Sequence, residues 1–168
     1  MEPIKTKLTS LRLAAMSQSL TERHRHAQES GLSYLEFLEL LLEDELARRE
    51  TAGYQRRLRQ SKLNSQKRLD DYDFSRQPDV DRRLISELAS CRFIGRHENV
   101  ILMGKPGVGK THLATALGLK AVEAGYKVLF IHANELIGWL RRSRADESYS
   151  KTLKKLVKYD LLIIDELG

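Results

Sequence analysis

Gly104-Lys105-Pro106-Gly107-Val108-Gly109-Lys110-Thr111 follows the spacing Gly-x4-Gly-Lys-Thr. Its glycines let the backbone curl until several amides face one point, and a helix beginning at Lys110 adds the partial positive charge of its first turn. Such a loop binds the phosphates of a nucleoside triphosphate. Lys110 is expected to reach the β- and γ-phosphates, and the Thr111 hydroxyl to coordinate magnesium. A second group, Asp165-Glu166, follows the apolar run Leu161-Leu162-Ile163-Ile164. Asp165 is expected to hold the magnesium, directly or through water, and Glu166 to act as general base on an attacking water. An acid adjacent to the metal ligand favours hydrolysis over phosphoryl transfer to a small acceptor. The order Gly-Lys-Thr also departs from the glycine spacing of a dinucleotide site.

These residues need a scaffold that brings them to one edge. From Gly95 onward apolar runs and helical periodicities alternate. Asn99–Met103 reads as a strand, Lys110–Ala124 as a helix ended by Gly125, and Lys127–His132 as a second strand. Helical pieces follow near Asn134–Arg142 and Ser148–Lys158, before a third strand at Leu161–Ile164. Strand and helix in alternation predict a parallel sheet, with ligands at the carboxyl ends of its strands.

The preceding part reads as wholly helical. Leu8, Leu11, Ala15, Met16 and Leu20 recur at helical intervals from Ile4 to Ala27, and Ser30-Gly31 closes that segment. Ser33 and Glu36 form a capping box at the start of a long helix. Its Leu35, Leu38, Leu42 and Leu46 predict a packing stripe rather than a coiled-coil seam, since heptads are not sustained. Past Ala47 the chain turns basic, from Arg48 and Arg49 through Arg56, Arg57, Arg59, Lys62 and Lys67 to Arg68. Two readings stand for this run: a DNA contact, or a solvated helix face. Asp70–Gln77 reads as a connector before Pro78, and a short helix runs from Asp79 or Val80 to Ser90. The predicted division is a helical domain over 1–77 and a nucleotide-binding domain over 78–168. Arg141, Arg142 and Arg144 near Trp139, and Lys151, Lys154, Lys155 and Lys158, read as surface decoration.

The formal net charge of +6 suits a polyanionic partner. Cys91 is the only cysteine, so no internal disulfide can form, and it reads as a small core residue. No apolar run approaches the ~20 residues a bilayer requires, and the first residues lack the apolar stretch of a secretory signal. The expectation is a cytoplasmic protein without membrane contact.

Gly-Leu-Ser-Tyr-Leu-Glu-Phe-Leu, Tyr72-Asp73-Phe74, Glu98-Asn99-Val100 leading into Gly-Lys-Pro-Gly-Val-Gly-Lys-Thr-His-Leu-Ala, and Tyr159-Asp160-Leu161-Leu162-Ile163-Ile164-Asp165-Glu166-Leu167-Gly168 together closely resemble the IstB family. Its members are transposition helper ATPases of bacterial insertion sequences, and the likeness covers essentially the whole chain. The resemblance implies an AAA+ type of P-loop NTPase fold, binding of ATP and magnesium, and homo-oligomers on double-stranded DNA. It also implies delivery of that DNA to the transposase of the same element. Lys110, Thr111, Asp165 and Glu166 take the family's nucleotide, metal and water-activating roles. Helicase loaders of the DnaC type are related and offer an alternative function, with the helices gripping a helicase instead. The sequence stops directly after the acidic pair, where family members continue. This implies a parallel-sheet core incomplete at the C-terminus and impaired ATPase activity, so a non-catalytic remnant is a further alternative.

Overall fold

The computed structural model of the chain describes residues 1–167. Gly168, the last residue of the Tyr159–Gly168 run, lies outside them. The chain divides into two compact units, Met1–Gly53 and the portion from Tyr54 onward.

The regular elements described in the first unit are helices. Helix α1 spans Glu2–Ser10, α2 spans Ala14–Ser30, and α3 begins at Tyr34 and ends at Ser61, its last turns lying in the second unit. The single helix expected over Ile4–Ala27 is therefore two. Arg12 adopts a φ of 60°, its amide donates to Thr9 O, and the Leu13 amide donates to Leu8 O at 2.8 Å. This is the left-handed termination that glycine usually provides, so periodicity alone ran through it. The capping box is present: the Ser33 amide donates to Glu36 Oε2 at 2.7 Å, and the Glu36 amide to Ser33 Oγ at 3.3 Å.

Met16, Leu20 and Leu41 form the core of this unit, with Leu8, Leu13 and Phe37 against them. Leu35, Leu38, Leu42 and Leu46 lie exposed instead. The packing face of α3 is set by Phe37, Leu41 and the buried Glu45, not by the more numerous leucines beside them. Glu45 Oε2 accepts from the Ala15 amide at 2.8 Å and satisfies a free donor at the start of α2. Arg49 Nε holds the same carboxylate at 2.9 Å. Arg23 reaches Asp44 through two nitrogens, at 2.9 and 2.7 Å.

The second unit continues through two short 3-10 turns, Leu69–Asp71 and Phe74–Arg76. Helix α4 spans Arg82–Ala89, with the Asp81 side chain accepting from the amides of Arg83 and Leu84. The one-turn α5 covers Arg92–Gly95. Helix α6 covers Lys110–Glu123, strand β1 Val128–His132, α7 Ala133–Ala145, α8 Tyr149–Leu156 and strand β2 Leu161–Asp165. Gly125 ends α6 with a φ of 96°, and the Tyr126 amide donates back to Ala121 O.

Strands β1 and β2 pair in parallel, with Val128 opposite Leu161 and His132 opposite Asp165. The expected strand at Asn99–Met103 is not part of the sheet. Among the described residues no strand lies beside it, and Ile101 and Met103 are 79% and 88% exposed. An apolar run becomes a strand only where a neighbour takes up its backbone donors and acceptors.

The core of this unit gathers Cys91, Ile94, Ala121, Val122 and Val128. Burying each Val or Ile contributes about 1.5–3 kcal/mol. Helix α6 approaches β2 so closely that a Cβ on Gly118 would lie 2.6 Å from Ile163 Cδ1. The mixture of helices with a small parallel sheet is consistent with part of a P-loop nucleotide-binding fold. Among the described residues no helix is long and apolar enough to cross a membrane.

Candidate functional site

The loop from Gly104 to Gly109 delivers the chain into α6, and Gly107 and Gly109 carry φ values of 83° and 86°. An L-residue with a side chain resists that region, so the glycines at these two places are required by the turn. Among the described residues, the amides of Lys105 and of 107–112 donate to no backbone carbonyl. Pro106 has no amide hydrogen. A run of unpaired donors at a helix start is what an anionic phosphate group satisfies. Lys110 Nζ donates to the carbonyls of Gly104 at 2.7 Å and Lys105 at 2.9 Å, so the loop wraps around its own ammonium.

The two separated motifs meet. Thr111 Oγ1 donates to the Asp165 carboxylate, with oxygens at 2.9 and 3.1 Å, although 54 residues lie between them. The first turn of α6 and the end of β2 therefore converge at the carboxyl edge of the sheet, as expected. A hydroxyl beside a carboxylate is an oxygen donor set suited to magnesium, which takes one or two carboxylates and retains water or phosphate ligands. The residues thus fit both a triphosphate and its metal.

Glu166 follows Asp165 with a φ of 59°, and its side chain is 71% exposed. Its Oε2 lies 3.4 Å from His132 Nδ1, which is 4.0 Å from Asp165 Oδ2. Ligand atoms of His132, Asp165 and Glu166 all fall within 4.8 Å of one another. Sequence reasoning passed over His132. The signal available was its place at the end of the expected strand Lys127–His132; the structure sets it directly opposite Asp165.

A second feature absent from the expectations lies in the segment preceding Pro78. The Tyr72 hydroxyl donates to Val108 O at 3.0 Å, and its ring covers Gly109, where a Cβ would lie 2.7 Å from Tyr72 Cε2. His112 Nε2 is 2.8 Å from Arg68 O, and the His112 and Tyr72 rings are 5.6 Å apart. The presumed connector thus packs on the phosphate loop and its helix.

The family described as IstB-like ATP binding protein matches residues 6–168. The chain belongs to this family. It is 41% identical over 158 residues to a Geobacillus stearothermophilus protein named for ATP binding in insertion sequence IS5376. That alignment covers 94% of this chain and 63% of the relative. It is 40% identical over its whole length to the corresponding IS21 protein of Pseudomonas aeruginosa, again covering 63% of the relative. A Mycobacterium tuberculosis insertion-sequence ATP-binding protein is 36% identical over 165 residues, covering 98% of this chain and 66% of the relative. The chain therefore spans somewhat less than two thirds of the length of these relatives. Membership in the IstB-like family implies ATP binding.

Proposed function

We propose that this chain is the ATP-binding portion of a transposition helper of AAA+ type, which assembles as a homo-oligomer on double-stranded DNA and presents it to the transposase of its element. The hydrogen bonds between Thr111 and Asp165 carry the nucleotide part of this reading, because they join both phosphate-site motifs within an IstB-like chain. The relatives' insertion-sequence names favour transposition over helicase loading.

In this reading the loop amides and Lys110 hold the triphosphate, while Thr111 and Asp165 hold magnesium. A magnesium ion held there would offset the negative charge of the phosphate oxygens. Glu166 accepts a proton from the attacking water, and His132 orients the Glu166 carboxylate. The products are ADP and phosphate, and the reaction serves to release an ATP-dependent assembly from DNA. Arg48 to Arg68 supply phosphate contacts to the duplex.

The test is DNA capture with ATP, with ADP and without nucleotide, followed by pull-down of the transposase encoded beside the gene. Retention that requires ATP and brings the transposase down supports the proposal. Capture of a replicative helicase instead, or retention indifferent to nucleotide, contradicts it.

A further inference from the structure

A cavity lies at the other end of β1 from His132, near Val128. Four residue steps separate it from His132, or about 13 Å along an extended strand. Its volume is about 390 Å³, within the general range of small-molecule sites. Arg57, Lys127, Trp139, Lys155, Lys158 and Tyr159 line it.

The cations there are not balanced within the protein. Among the described residues, none of Arg57, Lys127, Lys155 and Lys158 has a carboxylate oxygen within 4.0 Å, whereas Lys62 pairs with Glu135 and Arg68 with Glu123. Asp160, the nearest acid in the sequence, is held at 2.7 Å by the backbone amide of Lys127. Arg57 places Nε on Val122 O at 3.3 Å, which anchors its guanidinium stem. Gathering four like charges around one cavity is unfavourable until an anion enters. Trp139 and Tyr159, both half-buried, add two π-systems to the lining.

Phosphate-seeking cations combined with aromatic faces recognise a nucleotide whose base is free to stack. A duplex keeps its bases paired inside the helix and cannot present one to Trp139. We propose that this cavity receives one nucleotide of an unpaired nucleic-acid strand, with the base against Trp139 and the flanking phosphates on Arg57, Lys127, Lys155 and Lys158. The site is separate from the phosphate loop and does not rest on the transposition reading.

Trp139 is the only tryptophan in the chain, so its emission reports directly on the cavity. The full chain is titrated with dodecamers of deoxythymidylate and of uridylate, which tell DNA from RNA, and with a duplex of equal length. At least one single strand is expected to quench Trp139 saturably, with an affinity falling at a log–log salt slope of about −1.4 for the two phosphates that flank one nucleotide. Arg57 also belongs to the basic run assigned above to duplex contact, so the duplex is expected to quench Trp139 less than the better single strand does. The double variant Lys155→Glu/Lys158→Glu should lose at least about tenfold in single-strand affinity while binding a fluorescent ATP analogue normally. With the tryptophan reporter removed, the anisotropy of a fluorescein-labelled dodecamer reads the affinity: Trp139→Leu should lose about 5- to 150-fold, the range of one stacked base, and Trp139→Phe should recover most of it. Circular dichroism melts of each variant identify misfolding, and the surface charge reversal preserves the test should the leucine variant not fold. No single-strand binding, binding without quenching, equal quenching by duplex, or affinity indifferent to the charge reversal would each overturn the proposal. Loss of ATP binding in wild type with quenching intact would count against the function proposed above and not against this site.

Discussion

Replacing Gly109 by alanine asks whether the phosphate loop is shaped jointly by its own backbone and by the Tyr72 ring. Gly109 sits at φ 86°, and the added Cβ would meet Tyr72 Cε2 at 2.7 Å. Left-handed backbone costs a residue with a side chain about 1–2 kcal/mol. Displacing a packed ring costs about 1–3 kcal/mol more. The sum, about 2–5 kcal/mol, falls on the conformation that aims the loop amides inward, and 1.4 kcal/mol is a factor of ten. Affinity for ATP should therefore drop by about 30-fold or more. A fluorescent ATP analogue measures it, with thermal melts in parallel to separate loop distortion from loss of fold. Adding Tyr72→Ala to Gly109→Ala removes the collision but not the φ strain, so a double-mutant cycle should return a coupling of about 1–3 kcal/mol. Wild-type affinity and melting temperature in Gly109→Ala, or a cycle with no coupling, would refute the reasoning.

Thr111→Val keeps the shape of the side chain but removes the hydroxyl that donates to Asp165. The gain in ATP affinity from magnesium should shrink by about tenfold or more, the worth of a hydrogen bond to a charged group, with metal-free binding unchanged and Thr111→Ser restoring the gain. In the first unit, hydrogen bonding from Arg23 holds the Asp44 carboxyl below its ordinary range. Burial pushes Glu45 upward, but bonds from Arg49 and the amides of Ala15 and Met16 outweigh it and leave that carboxyl lowered too. Groups depressed in the folded state contribute stability above the unfolded carboxylate pKa of about 4, and that contribution is lost as pH falls through the folded values. Thermal melts followed by circular dichroism should show helix stability declining below about pH 4, and Asp44→Asn with Glu45→Gln should flatten the decline.

How far the sequence revealed this arrangement depended on whether the deciding interaction was local. Ser33 and Glu36 satisfy each other's amides within one turn, and Gly125 supplies a left-handed termination, so both helix boundaries were readable. Gly107, Gly109 and Lys110 likewise carry their geometry in residue type. Arg12 takes the same left-handed state without the glycine that announces it, and the break between α1 and α2 was missed. Asn99–Met103 has a strand's composition, but pairing is a property of two segments, and no neighbour is present among the described residues. Leu35, Leu38, Leu42 and Leu46 form a helical stripe, yet Leu41 faces the core, because periodicity does not say which of two apolar sectors is covered. Tyr72 and His132 reach the candidate site through contacts 36 and 34 residues distant in the chain, to Val108 and Glu166. Spacing within a motif cannot register such contacts.

Equilibrium titration of the chain with a fluorescent ATP analogue, in magnesium, comparing wild type with Lys110→Ala, tests the phosphate loop most directly. The account predicts saturable binding by wild type that weakens by at least about tenfold on loss of the ammonium, since a hydrogen bond to a charged group is worth about 1.5–3 kcal/mol. Equal binding by the two proteins would contradict it.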